Sequence, residues 1–334
     1  MDLQDAQREL VLRLQPLYDE RETAAIADWV MENITGWKKV DRMLNKRHVF
    51  DTSQARIFHQ YLADLEKHRP VQYVLEEAWF CGLKLHVDER VLIPRPETEE
   101  LVEWVASEYA SSSIPGSDKQ ASASLPSDHK VPANPPSILD VGTGSGCIAI
   151  ALAHRLLKSS STSLPGTSSQ PQAHGPKVAA PPHPAIYACD VSSAALSVAR
   201  QNAEAQQAAI QFFQLDFLDA SQRGSLPAVD CIVSNPPYIP AREKDTLSPH
   251  VVEFEPATAL FVPNDDPLVF YRAIALFARE IASSRAPRLP IKIFAEIHEN
   301  LAGPVAALFQ QFGFQSITIR KDMQCKDRMI KATT

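Results

Sequence analysis

The chain has 334 residues, of which 45% are hydrophobic, and its net charge at pH 7 is −7. This length suggests two domains, or one large domain with an appendage. The acidic balance argues against a broad groove that neutralises many phosphates, so we expect no stable binding to nucleic acid. No stretch approaches ~18 apolar residues and the first residues form no apolar signal core, so we expect no membrane association.

The five cysteines are odd in number and form no C-x-x-C pair. This pattern is untypical of a disulfide framework or a zinc cluster. We therefore expect a reducing compartment, which makes the cytoplasm the predicted location, and we expect no bound metal.

Residues 1–75 have the apolar periodicity of helices. The apolar side chains recur at steps of three and four residues, as in the stripe formed by Ile26, Trp29, Val30 and Ile34. This predicts a small bundle of about four helices. Over 76–95 the pattern changes to alternation around Gly82 and an Asp88-Glu89 turn, which indicates a β-hairpin. A helix is predicted to begin near PETEELVEWV, since Pro and Glu suit a first turn.

Short apolar segments alternate with helical ones over the rest of the chain. The strand-like segments are SILDV, AIYACD, IQFFQLD, DCIVSN and IKIFAEI. Such alternation predicts an α/β fold whose parallel sheet is covered by helices on both faces. The last two segments, SITIR and RMIKA, have no helix between them, so we expect them to close the sheet as an antiparallel pair.

Two segments, 111–136 and 159–184, are rich in Ser, Pro, Ala and Gln and hold 11 of the 26 prolines. Their few large apolar side chains cannot bury enough surface to offset the entropy of ordering the chain. We therefore interpret both segments as flexible insertions.

A glycine-rich turn separates a predicted strand from a predicted helix in ILDVGTGSG, which contains Gly142, Thr143, Gly144, Ser145 and Gly146. Glycines permit a sharp turn and the close approach of a ligand to the main chain. The helix that follows offers unpaired N–H groups and the positive end of its dipole. By itself the turn fits either a cofactor loop or a simple strand-to-helix connection.

Acidic residues end the next two predicted strands. Asp190 follows Asp140 by 50 residues, and the interval shortens to 24 when the 26 residues of 159–184 are left out. This spacing matches the acid that binds ribose hydroxyls ~20 residues downstream in nucleotide-binding α/β folds. Asp216 and Phe217 end the third strand, where they would lie beside an adenine ring, although Asp216 also fits a helix cap.

The fourth predicted strand, DCIVSN, leads into Asn235-Pro236-Pro237-Tyr238. A planar amide or arylamine nitrogen is a poor nucleophile, and it needs acceptors for its two hydrogens and a fixed orientation. The Asn235 side-chain oxygen and the Pro236 carbonyl can accept those hydrogens, while two prolines keep the backbone rigid. Tyr238 would supply an aromatic wall. A rigid proline turn without function is the alternative for the tripeptide alone.

Five segments resemble the peptide chain release factor N5-glutamine methyltransferases, the PrmC/HemK family. They are HRPVQYV at 68–74, LIPRPETEELVE at 92–103, ILDVGTGSGCIAIALA at 138–153, SNPPYIP at 234–240 and EFEPATALF at 253–261. NPPY is also found in DNA adenine methyltransferases and other nitrogen methylators, so the RPETE segment is what favours this family.

The resemblance implies a Rossmann-like class I S-adenosylmethionine methyltransferase sheet over 96–334, with the two insertions inside it. It implies a small helical substrate-docking domain at 1–75 and a connecting β-hairpin at 76–95. Class 1 release factors would be the partners, and the enzyme would act as a monomer.

The resemblance also implies roles for individual residues. S-adenosylmethionine would be lined by Gly142, Thr143, Gly144, Ser145, Gly146 and Asn235, held at its ribose by Asp190 and flanked at its adenine by Asp216 and Phe217. The substrate glutamine would be bound by Asn235, Pro236, Pro237 and Tyr238, of which Asn235, Pro236 and Tyr238 would take part in catalysis.

Three alternatives remain at this point. The enzyme could modify a glutamine of a ribosomal protein, as a related family does. It could be an adenine-N6 nucleic-acid methyltransferase, which would want a basic face and a target-recognition domain, and which the acidic chain and the short helical domain disfavour. It could also be a module that only binds the cofactor, although such a protein would be expected to lose part of the loop or of NPPY.

The composition of the second insertion generates a prediction about the whole protein. Deleting 160–183 and joining the ends with a short Gly-Ser linker should leave the melting temperature and the turnover nearly unchanged, because the segment lacks core-forming side chains. Thermal unfolding and methyl-transfer rates of the two proteins measure this. A large loss in either one would mean that the segment packs on the domain or contacts a partner.

Overall fold

The structure, a computed structural model, describes residues 1–110, 135–161, 184–285 and 290–334. Within these ranges no helix combines the length and the apolar character that a bilayer crossing requires. The predicted insertions at 111–136 and 159–184 lie almost entirely outside the described residues. One boundary shifts, because the helix before the second insertion continues to Ser161.

Five helices form residues 1–75, one more than the predicted number. They are α1 (Leu3–Leu14), α2 (Glu20–Thr35), α3 (Lys39–Leu44), α4 (Thr52–Leu65) and the short α5 (Val71–Val74). Asp19 and Asp51 cap α2 and α4 by accepting main-chain N–H bonds three residues ahead. Gly36 ends α2 in the left-handed region, at a φ of 70°.

The predicted apolar stripe of α2 faces a core that belongs to the bundle. Ile26 and Val30 are buried there with Leu10 of α1 and Phe58 of α4, and Trp29 and Ile34 pack at its margin. Because this cluster draws only on residues 1–75, the bundle buries its apolar faces without help from the sheet.

A short hairpin follows, with β1 (Ala78–Phe80) antiparallel to β2 (Leu83–Leu85). Its turn consists of Cys81 and Gly82, both at positive φ. Asp88 and Glu89 lie after β2, so they do not form the hairpin turn. The alternation around Gly82 therefore predicts the hairpin, whereas the predicted turn at Asp88-Glu89 is wrong.

The buried carboxylate of Glu77 joins the bundle to the hairpin. It accepts hydrogen bonds from Trp29 Nε1 of α2 at 3.2 Å and from Trp79 Nε1 of β1 at 3.0 Å, and it pairs with Lys84 of β2. The paired charge and the two indole donors offset the cost of burying this carboxylate.

A seven-stranded sheet forms the centre of the remaining chain, in the order β10-β11-β9-β6-β3-β4-β5. Its strands are β3 (Ser137–Val141), β4 (Ala185–Asp190), β5 (Ile210–Gln214), β6 (Cys231–Ser234), β9 (Lys292–Glu296), β10 (Ser316–Lys321) and β11 (Asp327–Thr333). The first five are parallel and β11 is antiparallel to both β9 and β10. The predicted Rossmann-like α/β fold and its antiparallel closing pair are confirmed.

Helices cover both faces of the sheet. They are α6 (Pro96–Ala110), α7 (Cys147–Ser161), α8 (Ser193–Ala205), α9 (Pro249–Phe254), α10 (Ala257–Leu260), α11 (Val269–Ser284) and α12 (Ala302–Gln311). One buried cluster contains side chains of α6 and α7, and another contains those of α11 and α12. Two-residue strands, β7 (Ile239–Pro240) and β8 (Phe261–Val262), pair outside the sheet.

Strand order reverses beside β3. The chain runs outward from β3 to β4 and β5, then returns to the other side of β3 as β6. Ligands of open α/β sheets bind at the carboxyl ends of the strands next to such a reversal. The loops that follow β3 and β6 therefore come together at the carboxyl edge.

Candidate active site

The glycine-rich loop after β3 has the open backbone that a ligand requires. Gly142, Gly144 and Gly146 have φ values of 71°, 53° and 82°. A Cβ at Gly142 or Gly144 would meet no atom within 4 Å, whereas one at Gly146 would lie 3.1 Å from Ile150. The first two glycines thus face open space. The third, which has no side chain to collide with Ile150, lets the loop lead closely into α7.

Asp190 ties this loop to the end of β4. One carboxylate oxygen accepts from Gly144 N at 2.9 Å, and the other accepts from Ser192 N at 2.9 Å. Burial raises the pKa of Asp190, and the main-chain donors act in the opposite direction. The acid predicted to hold a ribose therefore lies against the glycine loop, where it also fixes the loop's shape.

Asp140, the penultimate residue of β3, is fully buried beneath the loop. Its Oδ2 accepts from Thr143 Oγ1 at 2.6 Å and from Ala149 N at 3.2 Å, so it connects β3, the loop and the first turn of α7. Its Oδ1 has no hydrogen-bond partner among the described residues. Burial raises the pKa of this carboxyl group to about 7.

The residues predicted to flank adenine lie just beyond β5. Asp216 is half-buried, and its carboxylate accepts from Leu218 N at 2.9 Å within a turn, so it does not cap a helix. The Phe217 ring is 5% exposed, packs edge-on against Phe277 and has Arg223 over one face. The ring is thus packed along one edge and against one cation, and its predicted place beside adenine stays a prediction.

The NPPY segment lies at the end of β6 and borders a cavity of about 150 Å³. The cavity is mostly apolar and is lined by Leu92, Arg95, Asn235, Pro236, Tyr238, Ile239, Leu247, Val251, Ala259 and Leu260. Three of the four NPPY residues thus contribute to its wall. An apolar cavity with few polar groups suits a short aliphatic chain that ends in a polar group.

Hydrogen bonds from behind hold the NPPY side chains. Asn235 Nδ2 donates to Thr98 Oγ1 at 3.0 Å, and the Thr98 hydroxyl donates to Glu296 Oε2 at 2.7 Å. Tyr238 donates through its hydroxyl to Glu296 Oε1 at 2.9 Å. Burial raises the pKa of Tyr238, so this hydroxyl keeps its proton and remains a donor.

An ion pair closes the cavity wall. Arg95 donates to the buried Glu255 at 2.6 Å, and Glu255 also accepts from Ile93 N at 3.4 Å. These contacts join the segment before α6 to the segment between α9 and α10. They explain why RPETE and EFEP, 160 residues apart, both belong to this site.

The sequence did not single out Thr98, Glu296 or Glu255 as site residues. Thr98 was covered by the helix pattern of α6, and Glu255 lay in a segment known only from a resemblance. Glu296 did carry a signal, because it is an acid at the end of an otherwise apolar parallel strand. Asp190 carries the same signal, an acid at the end of a strand, and the spacing expected of a ribose-binding acid supports it there.

Among the described residues, no group of three or more His, Cys, Asp or Glu side chains is placed to hold a metal ion. The order of the sheet, the glycine loop after β3 and the NPPY segment after the adjacent β6 define a class I methyltransferase.

Comparison with known proteins identifies the family. A model of the PrmC N-terminal domain matches residues 5–75, and a model of the methyltransferase small domain matches residues 177–253. The release factor glutamine methyltransferase of Flavobacterium psychrophilum is 33% identical, over 99% of each chain. The enzyme of the same name from Bacteroides thetaiotaomicron is 30% identical, over 96% of this chain and 95% of its own. The chain belongs to the release factor glutamine methyltransferase family.

Structural similarity to solved proteins is looser. The N-terminal domain of human METTL16 in complex with SAH aligns with a TM-score of 0.46 at 16% identity, over 87% of this chain and 86% of that chain. No functional inference is drawn from it.

The raised pKa of Asp140 predicts how stability depends on pH. The folded state binds the proton more tightly than the unfolded state, in which the pKa is near the ordinary 3.8. This stabilisation is complete below about pH 4 and is lost as the pH rises to about 7. Asp140→Asn, which keeps an acceptor, should therefore gain unfolding free energy relative to wild type over that range, by about 4 kcal/mol.

Denaturant unfolding of both proteins at several pH values measures this difference. Other titrating groups are common to the two proteins and cancel. A difference that does not change between pH 4 and 8 would show that Asp140 is ionised throughout, with the N-terminus of α7 compensating for its burial.

Proposed function

We propose that the protein transfers a methyl group from S-adenosylmethionine to the side-chain amide nitrogen of a glutamine in a class 1 peptide chain release factor. The observation that carries the proposal is the apolar cavity at the end of β6, with Asn235 and Pro236 in its wall. Family membership supports the same acceptor.

The residues around the glycine loop fit S-adenosylmethionine. The open space at Gly142 and Gly144 leaves room for the ligand against the main chain, and Thr143, Ser145 and Gly146 complete the loop. Asp190 would hold the ribose hydroxyls and Asp216 the adenine amine. When bound, this cofactor supplies a methyl group activated by a positively charged sulfur.

The NPPY residues would orient the acceptor. Asn235 Oδ1 and the Pro236 carbonyl accept the two amide hydrogens, so the nitrogen is held with one face toward the cofactor side. Pro237 keeps the segment extended, and Tyr238, fixed through its hydroxyl, forms a flat wall beside the amide. Neither Asn235 nor Pro236 takes up a proton at neutral pH, so the proton that the nitrogen loses on methylation passes to solvent. The contribution of these two residues is orientation, which can lower a barrier by several kcal/mol.

The rest of the chain would serve this reaction. The helices of residues 1–75 would help to dock the release factor, with residues 76–95 as their connection to the methyltransferase domain at 96–334. A release factor as acceptor implies that the enzyme works in the cytoplasm, and one complete site in a single chain is consistent with a monomer. The net charge of −7 disfavours stable binding to nucleic acid.

Asp190→Ala should weaken binding of S-adenosylmethionine by about 1–3 kcal/mol, because hydrogen bonds to a charged group are lost and the Gly144 amide loses its acceptor. Titration calorimetry measures the affinity. Glu204→Ala, which removes an exposed carboxylate from α8, is the matched control and should bind as wild type does. Unchanged affinity in Asp190→Ala would remove this residue from the cofactor site.

Asn235→Ala should retain most of the cofactor affinity and lose about 100-fold in kcat, because a misplaced acceptor is costly only at the reacting geometry. Transfer of labelled methyl groups to a purified release factor measures this. A wild-type rate in Asn235→Ala would show that the role proposed for NPPY is wrong.

The acceptor itself is tested with the wild-type enzyme. A release factor with its target Gln changed to Glu offers no N–H groups to Asn235 and Pro236, so it should accept no label. Duplex DNA and a ribosomal protein fraction serve as competing acceptors. Label on adenine, or on a ribosomal protein in place of the release factor, would leave the methyltransferase activity established and would show that the proposed substrate is wrong.

A further inference from the structure

The amide of Asn235 has two ends of similar shape and opposite hydrogen-bonding character. Only one orientation presents Oδ1 as the acceptor that the proposed reaction needs. In the other orientation the NH2 group would face the N–H groups of the substrate, and donor would meet donor. The hydrogen-bond partners of an amide, rather than its shape, determine which end faces which way.

The partner of Asn235 is Thr98 Oγ1, at 3.0 Å from Nδ2. A threonine hydroxyl has a single proton and two lone pairs. If this hydroxyl donates its proton to another group, Thr98 can only accept from Asn235, and only the NH2 end of Asn235 can donate to it. The orientation of Asn235 therefore depends on where the proton of Thr98 points.

Glu296 accepts a hydrogen bond from the Thr98 hydroxyl and so fixes the direction of its proton. Its Oε2 lies 2.7 Å from Thr98 Oγ1, and an ionised carboxylate can only accept. Its other oxygen is occupied by the Tyr238 hydroxyl at 2.9 Å. Both Thr98 and Glu296 are buried, at 2% and 1% exposure, so solvent does not compete for these bonds.

We propose that Glu296 and Thr98 are positioning residues that force the Asn235 amide to present Oδ1 to the acceptor in the cavity. The inference rests on the proposed function for its catalytic consequence. The hydrogen-bond order itself, from Asn235 to Thr98 to Glu296, is a property of the protein without substrate.

The direction of the hydrogen bonds from Asn235 through Thr98 to Glu296 depends on the ionisation of Glu296. The groups that face it are the hydroxyls of Thr98, Tyr238 and Tyr271, the cation of Arg328 on β11 and the carboxylate of Glu97 on α6. Burial raises the pKa of Glu296 against the two hydroxyl donors and Arg328. A protonated Glu296 can donate to Thr98, which frees the Thr98 proton to bind Asn235 Oδ1 and reverse the amide. Turnover should therefore fall as the pH falls through this pKa.

The free protein provides the first test. In the full-length chain labelled with 15N-asparagine, the Asn235 side-chain resonances are identified by their loss in Asn235→Ala. Thr98→Ser keeps the hydroxyl and should leave the bonded Nδ2 proton close to its wild-type shift and exchange rate. Thr98→Val keeps the shape without the hydroxyl and should move the resonance upfield and speed its exchange.

Kinetics with a release factor provide the second test. Thr98→Val should lose about 100-fold in kcat with KM and cofactor affinity close to wild type, while Thr98→Ser restores most of the rate. Glu296→Gln has one acceptor oxygen in place of two, so it should lose kcat and also the acidic limb of the pH profile. Tyr271→Phe is the matched control, since its hydroxyl bonds the main-chain carbonyl of Glu296 and not the carboxylate. It should keep both kcat and the pH profile.

The outcomes separate the two proposals. A wild-type enzyme that labels no release factor overturns the proposed function, and the resonances of the free protein still decide the inference. A Thr98→Val protein with the wild-type Asn235 resonance and the wild-type kcat overturns the inference while the proposed function stands. An equal loss of kcat in Thr98→Ser, Thr98→Val and Tyr271→Phe would also overturn it, because it would indicate packing alone.

Discussion

The parallel pairing of β3 with β6 is the contact on which the rest of the site depends. Val141, the last residue of β3, lies opposite Ser234, the last residue of β6. The Ser234 hydroxyl donates to the Val141 carbonyl at 2.7 Å, which locks the two strand ends in register. Neighbouring strands lie about 4.8 Å apart, so the glycine loop and NPPY must begin side by side. The proposed cofactor site and the proposed acceptor site therefore begin on neighbouring strands.

Three buried carboxylates hold the segments that surround the ends of these two strands. Asp140 holds the glycine loop, Glu296 holds NPPY from behind, and Glu255 holds the cavity wall through Arg95. A buried carboxylate is costly unless it is paired and hydrogen-bonded. Glu296 and Glu255 are hydrogen-bonded through both carboxylate oxygens and Asp140 through Oδ2 alone, so disorder in a loop would leave a buried carboxyl group with fewer partners. The same groups that reduce stability thus keep the loops in one arrangement.

Much of this architecture follows from local patterns. The strands that were predicted from apolar runs, the glycine loop and the closing antiparallel pair are all present, because burial on both faces and turn geometry act within a few residues. The features that the sequence did not show depend on distant partners. The strand β5 ends at Gln214 rather than at Phe217, whose ring packs against Phe277, 60 residues later. The bond from Thr98 to Glu296 spans 198 residues, and no helix or strand pattern contains that information. The residue roles in cofactor and substrate binding stay predictions.

The two Ser- and Pro-rich segments rejoin the described chain at the opposite edge of the sheet. They end just before Ser137 of β3 and Ala185 of β4, which are paired neighbours at the amino ends of their strands. A strand of this length spans about 16 Å, so their points of attachment and the cavity lie on opposite edges. A change in chain length there is made at the edge of the sheet away from the cavity. This edge is accordingly the place to splice in a reporter domain or a tether to a solid support.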